Sequence, residues 1–217
     1  MKWKLPPARP FSWKMKSLDS AQTAFNTLPY GSFELLINHN VIRNVTPDML
    51  LWWFQHIGDL MPHEGKTYPR YLIWHPIDHI HWELKKPAPD GGAGVGAHFH
   101  IVEAFGGNMK HLVDSMEEVI KLDTEGITLV IRILGMEVYR LAHRFIPVAG
   151  GTLYRSRMQV GHESLRGRWL INPVMHRFIF PRAMGLAWLK HNVEEVGNFE
   201  FFLPELYNSQ VEITSVM

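Results

Sequence analysis

His191 and Glu195 stand four residues apart in the run His191-Asn192-Val193-Glu194-Glu195, a spacing that puts both on one face of a helix. Met184 and Trp188 fall on the same side, so the polar pair closes an apolar stripe. Such a pair is either a solvated edge or the lining of a cavity. A second carboxylate, Glu103, follows Phe99 and Ile101 at period-two spacing on a predicted strand. If Phe99 and Ile101 face the core, Glu103 is in or beside it and needs a partner, of which a metal is one kind. If the strand ends sooner, Glu103 is solvated. The run His75-Pro76-Ile77-Asp78-His79-Ile80-His81 adds three histidines and an aspartate. His79 and His81 share a face if a strand starts at His79. His143 precedes a glycine turn, and Arg155 and Arg157 share one strand face, where structural pairing with acids is the reading favoured over anion binding. Two histidines and two glutamates make a nitrogen/oxygen site suited to zinc, or to manganese or iron. A catalytic version keeps one position for water.

These side chains need elements to hold them. Thr46-Pro47-Asp48 is a helix start, with a capping hydroxyl and a proline in the first turn. The sequence predicts a short helix over 17–27, strands over 68–74, 79–84 and 97–104, and a loop over 87–96. Met109, Val113, Met116 and Ile120 recur at helical spacing and predict a helix over 108–122. A long β-rich run over 127–147 turns at Ala149-Gly150-Gly151 into a strand over 152–160. A last helix is predicted over 178–196, with Pro181 near its start and Gly197 at its end. This is an α+β order, and the architecture it favours is a curved antiparallel sheet wrapped around a long C-terminal helix, enclosing a cavity. Residues 1–17 read as an arm and 18–217 as one domain.

Composition narrows the class. The absence of cysteine removes disulfides, thiolate metal sites and a cysteine nucleophile, and fits a cytoplasmic protein. A net charge of +1 argues against a nucleic-acid partner. The N-terminus lacks the apolar core of a signal peptide, and no apolar run approaches the ~18 residues of a membrane span, so no membrane partner is expected. The 13 histidines are the unusual count, and the 8 tryptophans follow. Of these, Trp52, Trp53, Trp74, Trp82 and Trp188 are candidates for an aromatic pocket, two or three of them reaching the cavity. An arm such as 1–17 could serve a homodimer.

An ordered set of segments carries a resemblance: Trp52-Trp53-Phe54, Arg70-Tyr71 to Trp74, Pro76, Asp78-His79, Glu103, His143, Gly150-Gly151-Thr152, Arg155-Ser156-Arg157, Gly161 and His191-x-x-x-Glu195. In this order, over about residues 50–195, the chain resembles the diacetylphloroglucinol hydrolase and phloretin hydrolase family. The resemblance implies a helix-grip fold, like that of plant pollen allergens, and hydrolysis of the carbon–carbon bond between an acyl group and a phenolic ring by a metal-activated water. It implies a zinc held by His79, Glu103, His191 and Glu195, with His75 as the alternative first ligand. Tyr71, Trp188 and Met158 would contact an aromatic small molecule, and His143 would be the acid–base or orienting histidine. The chain departs from the family pattern in a shorter stretch from His79 to Glu103, in Met158 where an aromatic residue is frequent, and in a reduced N-terminal region. The rival readings are a non-catalytic ligand-binding module of the same fold and a metal-dependent esterase acting on aromatic substrates.

Overall fold

Strands dominate the chain between residues 22 and 160, each pairing antiparallel with its neighbours. The computed structural model describes residues 3–215, with side chains described as far as Ser209. In order they are β1 (Gln22–Thr27), β2 (Phe33–Asn38), β3 (Ile42–Arg43), α1 (Pro47–Gln55), β4 (Leu60–His63), β5 (Lys66–Pro69), α2 (Arg70–Trp74), β6 (His79–Lys86), β7 (His98–Ala104), β8 (Leu112–Asp123), β9 (Gly126–Ile133), β10 (Met136–Val148), β11 (Gly151–Val160), α3 (Asn172–Val174) and α4 (Arg182–Ser215). The main sheet runs β1-β2-β11-β10-β9-β8-β7-β6, with β3 added beside β11, while β4 and β5 form a separate hairpin. Wide, π-helical turns flank α3 on both sides. The sheet curves around α4, and Phe99, Ile127, Tyr154, Met158, Trp188 and Phe199 belong to the core between them. This is the α+β helix-grip architecture that the sequence favoured.

Four local expectations are corrected. Residues 17–27 are not a helix: a single 3-10 turn, Leu18–Ser20, leads into β1, whose six residues all pair with β2. The predicted strand over 68–74 ends at Pro69, and α2 follows. Its one helical turn brings Tyr71 and Trp74, three apart, to the same cavity. Residues 108–122 are a 3-10 turn and then β8, because β7 and β9 pair with it on both sides and that pairing overrides the helical spacing. The last helix starts later than predicted and runs through Gly197 to Ser215. Gly197 is there for room: a Cβ would stand 2.8 Å from the Lys16 side chain, which crosses the helix to pair with Glu200 at 2.6 Å. The β-rich run over 127–147 is two strands, turning at Leu134 and Gly135, both at positive φ.

The residues before β1 lie along the domain. Trp3 Nε1 donates to Asp114, Trp13 Nε1 donates to Asn198 Oδ1 at 2.8 Å, and Arg9 is buried. The Arg9 guanidinium donates to the carbonyls of Leu72 (3.1 Å), His75 (3.1 Å) and His79 (2.6 Å). It therefore clamps the loop that carries His75, Asp78 and His79. Arg9→Ala is expected to cost about 3 kcal/mol of stability, since three bonds from a charged, buried donor are lost. A urea unfolding curve within about 0.5 kcal/mol of wild type would contradict this role.

Candidate metal centre

Three elements supply the four side chains. β6 begins at His79 and β7 nears its end at Glu103, and the two residues are direct cross-strand partners. α4 supplies His191 and Glu195 one turn apart. Four donor atoms, one from each of these residues, lie within 4.8 Å of one another. His79 Nε2 is 3.3 Å from Glu103 Oε1 and 3.4 Å from Glu195 Oε2. His191 Nε2 is 3.6 Å from Glu103 Oε2 and 3.6 Å from Glu195 Oε2. Ligand atoms at tetrahedral positions about zinc are roughly 3.3–3.4 Å apart, given bonds of about 2.0–2.1 Å. The spacing therefore suits a common ion.

Hydrogen bonds fix both imidazoles in the ligating tautomer. His79 Nδ1 is 2.6 Å from the Tyr71 carbonyl, which can only accept, so Nδ1 carries the proton and Nε2 is bare. His79 Nε2 is buried and has no hydrogen-bond partner, an orphan that an ion would satisfy. His191 Nδ1 is 2.9 Å from Asp78 Oδ2. Asp78 also accepts from the backbone N–H groups of Gly106 (2.8 Å) and Gly107 (2.7 Å). Both glycines adopt positive φ, the conformation that turns two successive N–H groups onto one carboxylate. Burial opposes charge on Asp78, but the His191 bond, the nearby imidazoles and the Gly106 N–H outweigh it and hold its pKa below the ordinary value. Asp78 is thus an ionised acceptor, and His191 Nε2 faces the two glutamates. The carboxylates are held too: Asn192 Nδ2 donates to Glu195 Oε1 at 2.6 Å, and the Tyr71 hydroxyl donates to Glu103 Oε1.

Electrostatics agree with the donor set. Burial lowers the His79 pKa to about 4, which keeps the ring neutral. Burial also disfavours charge on His191, but the Glu195 and Glu103 carboxylates raise its pKa well above the usual value. Burial and the Glu195 charge push Glu103 up to about 7. Two buried carboxylates therefore call for positive charge between them, supplied by a proton on His191 or by a cation. A divalent ion fits these residues: it would take the place of the His191 proton, facing two imidazole Nε2 atoms, one of them the orphan of His79, and two carboxylates. Asp78→Ala is expected to weaken metal binding about 10–100-fold by freeing the His191 ring. Competition with a coloured chelator reads this directly, and an unchanged affinity would contradict it.

The remaining predicted residues divide. Tyr71, Glu103, His143, Met158, Trp188 and Glu195 all border one cavity of about 460 Å³. Phe99 and Ile101 border it as well, so the period-two reading of β7 holds. Of the five tryptophans, Trp74, Trp82 and Trp188 reach the cavity. Trp53 is core, and Trp52 carries the Arg70 guanidinium 4.5 Å above its ring. His75 stands behind the cluster, its ring stacked on His191 at 4.6 Å and its Nε2 3.5 Å from Glu194. His81 does not share a face with His79: a register shift between them turns His81 outward, toward Glu83 and His100. Arg155 and Arg157 are exposed, and Arg157 pairs with Glu34.

Three polar residues near the cavity escaped the sequence. Glu117 borders it from β8, with Oε1 accepting from Ser115 Oγ at 2.8 Å and Oε2 buried without a partner. Ser156 Oγ lies 2.9 Å from His143 Nδ1 and 3.1 Å from His39 Nε2, joining two buried histidines through one hydroxyl. Burial lowers the His143 pKa to about 4 and that of His39 to about 3. The helical reading of 108–122 hid the period-two placement of Glu117.

Fold and site together define a helix-grip protein with a His/Glu cluster whose two glutamates border the cavity. A family model described as the DAPG hydrolase PhiG domain matches residues 16–208, and the chain belongs to the DAPG hydrolase family. A comparison with curated proteins finds no match. Among solved structures, the chain is similar to CalU16 from Micromonospora echinospora, with 13% identity over 82% of this chain and 96% of that chain and a TM-score of 0.37. It is similar to Ms6760 from Mycobacterium smegmatis, with 10% identity over 82% and 94% and a TM-score of 0.45. It is also similar to Ara h 8.0201, with 11% identity over 75% and 96% and a TM-score of 0.38. These likenesses are remote, and the family assignment rests on the sequence match.

Proposed function

We propose that the protein is a metal-dependent hydrolase that cleaves the bond between an acyl carbon and a phenolic ring carbon. The observation that carries the reading is the convergence of two imidazole nitrogens and two carboxylates, with both glutamates on the wall of an aromatic-lined cavity. His79, Glu103, His191 and Glu195 would hold the metal, with zinc the best match to their nitrogen/oxygen set and manganese or iron the alternatives. When bound, such an ion supplies Lewis acidity and lowers the pKa of water to about 7.

The net reaction adds water across the acyl–aryl bond. The carbonyl carbon takes the oxygen and departs as a carboxylic acid. The ring carbon takes the electron pair of the broken bond and then a proton, and phenolic hydroxyls accommodate that pair through the keto tautomer. Trp74, Trp82 and Trp188 would sandwich the planar ring and exclude water. Tyr71 would turn its hydroxyl from Glu103 toward a phenolic oxygen. His143, neutral and anchored by Ser156, would orient the substrate or pass the proton to the ring carbon, a role typically worth ~10²–10⁴-fold. Met158 would contact the acyl or ring portion, its flexible thioether fitting a position where an aromatic side chain would be more restrictive.

The test is a panel of acylphenols and matched aryl esters, with carboxylic acid release followed by chromatography. Acid release from the acylphenols together with the deacylated phenol supports the reading. Turnover of esters with none of ketones would replace it by an esterase. No turnover and no bound metal would leave a ligand-binding module.

A further inference from the structure

The segment over 165–179 has an outer face that is apolar and solvent-exposed. Its π-helical turns, Gly167–Ile171 and Met175–Ile179, are wide. Along such a helix one face recurs every four or five residues. Leu165, Trp169, Leu170, Val174, Phe178 and Ile179 keep that spacing, and Leu165, Trp169, Leu170 and Phe178 are 66%, 71%, 68% and 73% exposed. Gly167, Asn172 and Met175, between them, are buried against the domain. A row of large apolar side chains turned to solvent marks an interaction surface.

Charge identifies the partner. From Ser164 to Val193 the sequence has no aspartate or glutamate, although the whole chain carries 21 acidic residues against 22 lysines and arginines. Arg166, Arg168, Arg177 and Arg182 fall in this stretch and are exposed. Arg168 lies over the Trp169 ring at 5.4 Å and Arg177 over Phe178 at 5.6 Å, so cations and aromatic faces are interleaved. No ion pair among the described residues engages these four arginines. Tryptophan, phenylalanine and leucine bordered by arginine is the composition of a helix lying in a membrane interface. A second copy of the chain is a poorer match, because a two-fold contact through this face would set the same arginines against one another.

We propose that the 165–179 face docks the protein on an anionic bilayer surface, with Trp169, Leu170 and Phe178 in the headgroup boundary and the four arginines against lipid phosphates. The absence of a helix long and apolar enough to cross a membrane, among the described residues, concerns spanning and leaves surface docking open. Phe178 and Ile179 also border the cavity, so the docked face adjoins its lining. An apolar aromatic molecule dissolved in lipid would then reach the cavity without crossing bulk water.

Flotation of the full chain with vesicles tests this, and it reads binding independently of metal or hydrolysis. We expect co-flotation with vesicles of phosphatidylcholine mixed with phosphatidylglycerol, and at least about tenfold weaker binding to phosphatidylcholine alone. Arg166→Gln with Arg168→Gln and Arg177→Gln should weaken binding to the mixed vesicles at least about tenfold, and Trp169→Ser with Leu170→Ser should abolish it. The arginine variant changes only exposed side chains, so it decides the matter even if the apolar variant misfolds. No binding of wild type to the mixed vesicles would overturn the proposal. So would a dimer by light scattering that Trp169→Ser with Leu170→Ser converts to monomer, which would assign the face to a second copy.

Discussion

His79→Ala is expected to lower kcat/KM on an acylphenol by at least about 10³-fold, the scale set by losing several kcal/mol of metal-derived transition-state stabilisation. The reasoning is geometric. His79 contributes the only nitrogen of the four-residue set that lies within 3.4 Å of both glutamates, and its Nε2 has no other partner. Alanine leaves Glu103 and Glu195 facing a gap on that side, with His191 as their remaining cation. The folded chain should survive, because the Tyr71 carbonyl loses one partner while the β6–β7 pairing remains. Steady-state assays, with a circular-dichroism melt to confirm folding, make the measurement. Activity within tenfold of wild type in a folded variant would remove His79 from the site.

Glu117→Gln is expected to stabilise the protein at alkaline pH. Burial raises the Glu117 pKa from 4.5 to about 8. The sign follows from proton binding: between these values the folded chain holds a proton that the unfolded chain releases. Its contribution to stability is therefore fully present below about pH 4.5 and is lost as pH rises toward 8. The loss across that window is on the order of 5 kcal/mol at about 1.36 kcal/mol per unit. Glutamine keeps the shape and the Ser115 hydrogen bond but cannot ionise. Urea unfolding at pH 5 and pH 8 should show the variant gaining on wild type as pH rises. Parallel curves at the two pH values would mean that Glu117 is solvated in the cavity.

The sequence was most legible where residue type and period agreed. Alternation in Phe99, Ile101 and Glu103 gave the right face of β7, and the four-residue spacing of His191 and Glu195 gave the right face of α4. The structure brings these residues to His79, where the predicted strand over 79–84 begins. Other features depended on contacts distant in sequence. β8 has helical apolar spacing, yet pairing with β7 and β9 decides its form, and with it the position of Glu117. The outward turn of His81 comes from a bulge that no local pattern marks. Gly197 reads as a helix stop until Lys16, 181 residues earlier, is seen lying against it. Arg9 looked like part of a loose arm, and only the fold reveals three carbonyls waiting for it.

Metal content by elemental analysis tests the central claim most directly, on wild type and on His191→Ala with Glu195→Ala. The account predicts about one zinc, manganese or iron per wild-type chain, held by the four-residue set, and loss of that ion in the double variant. A wild-type protein that takes up no metal even after reconstitution would contradict it and leave a cavity built for binding alone.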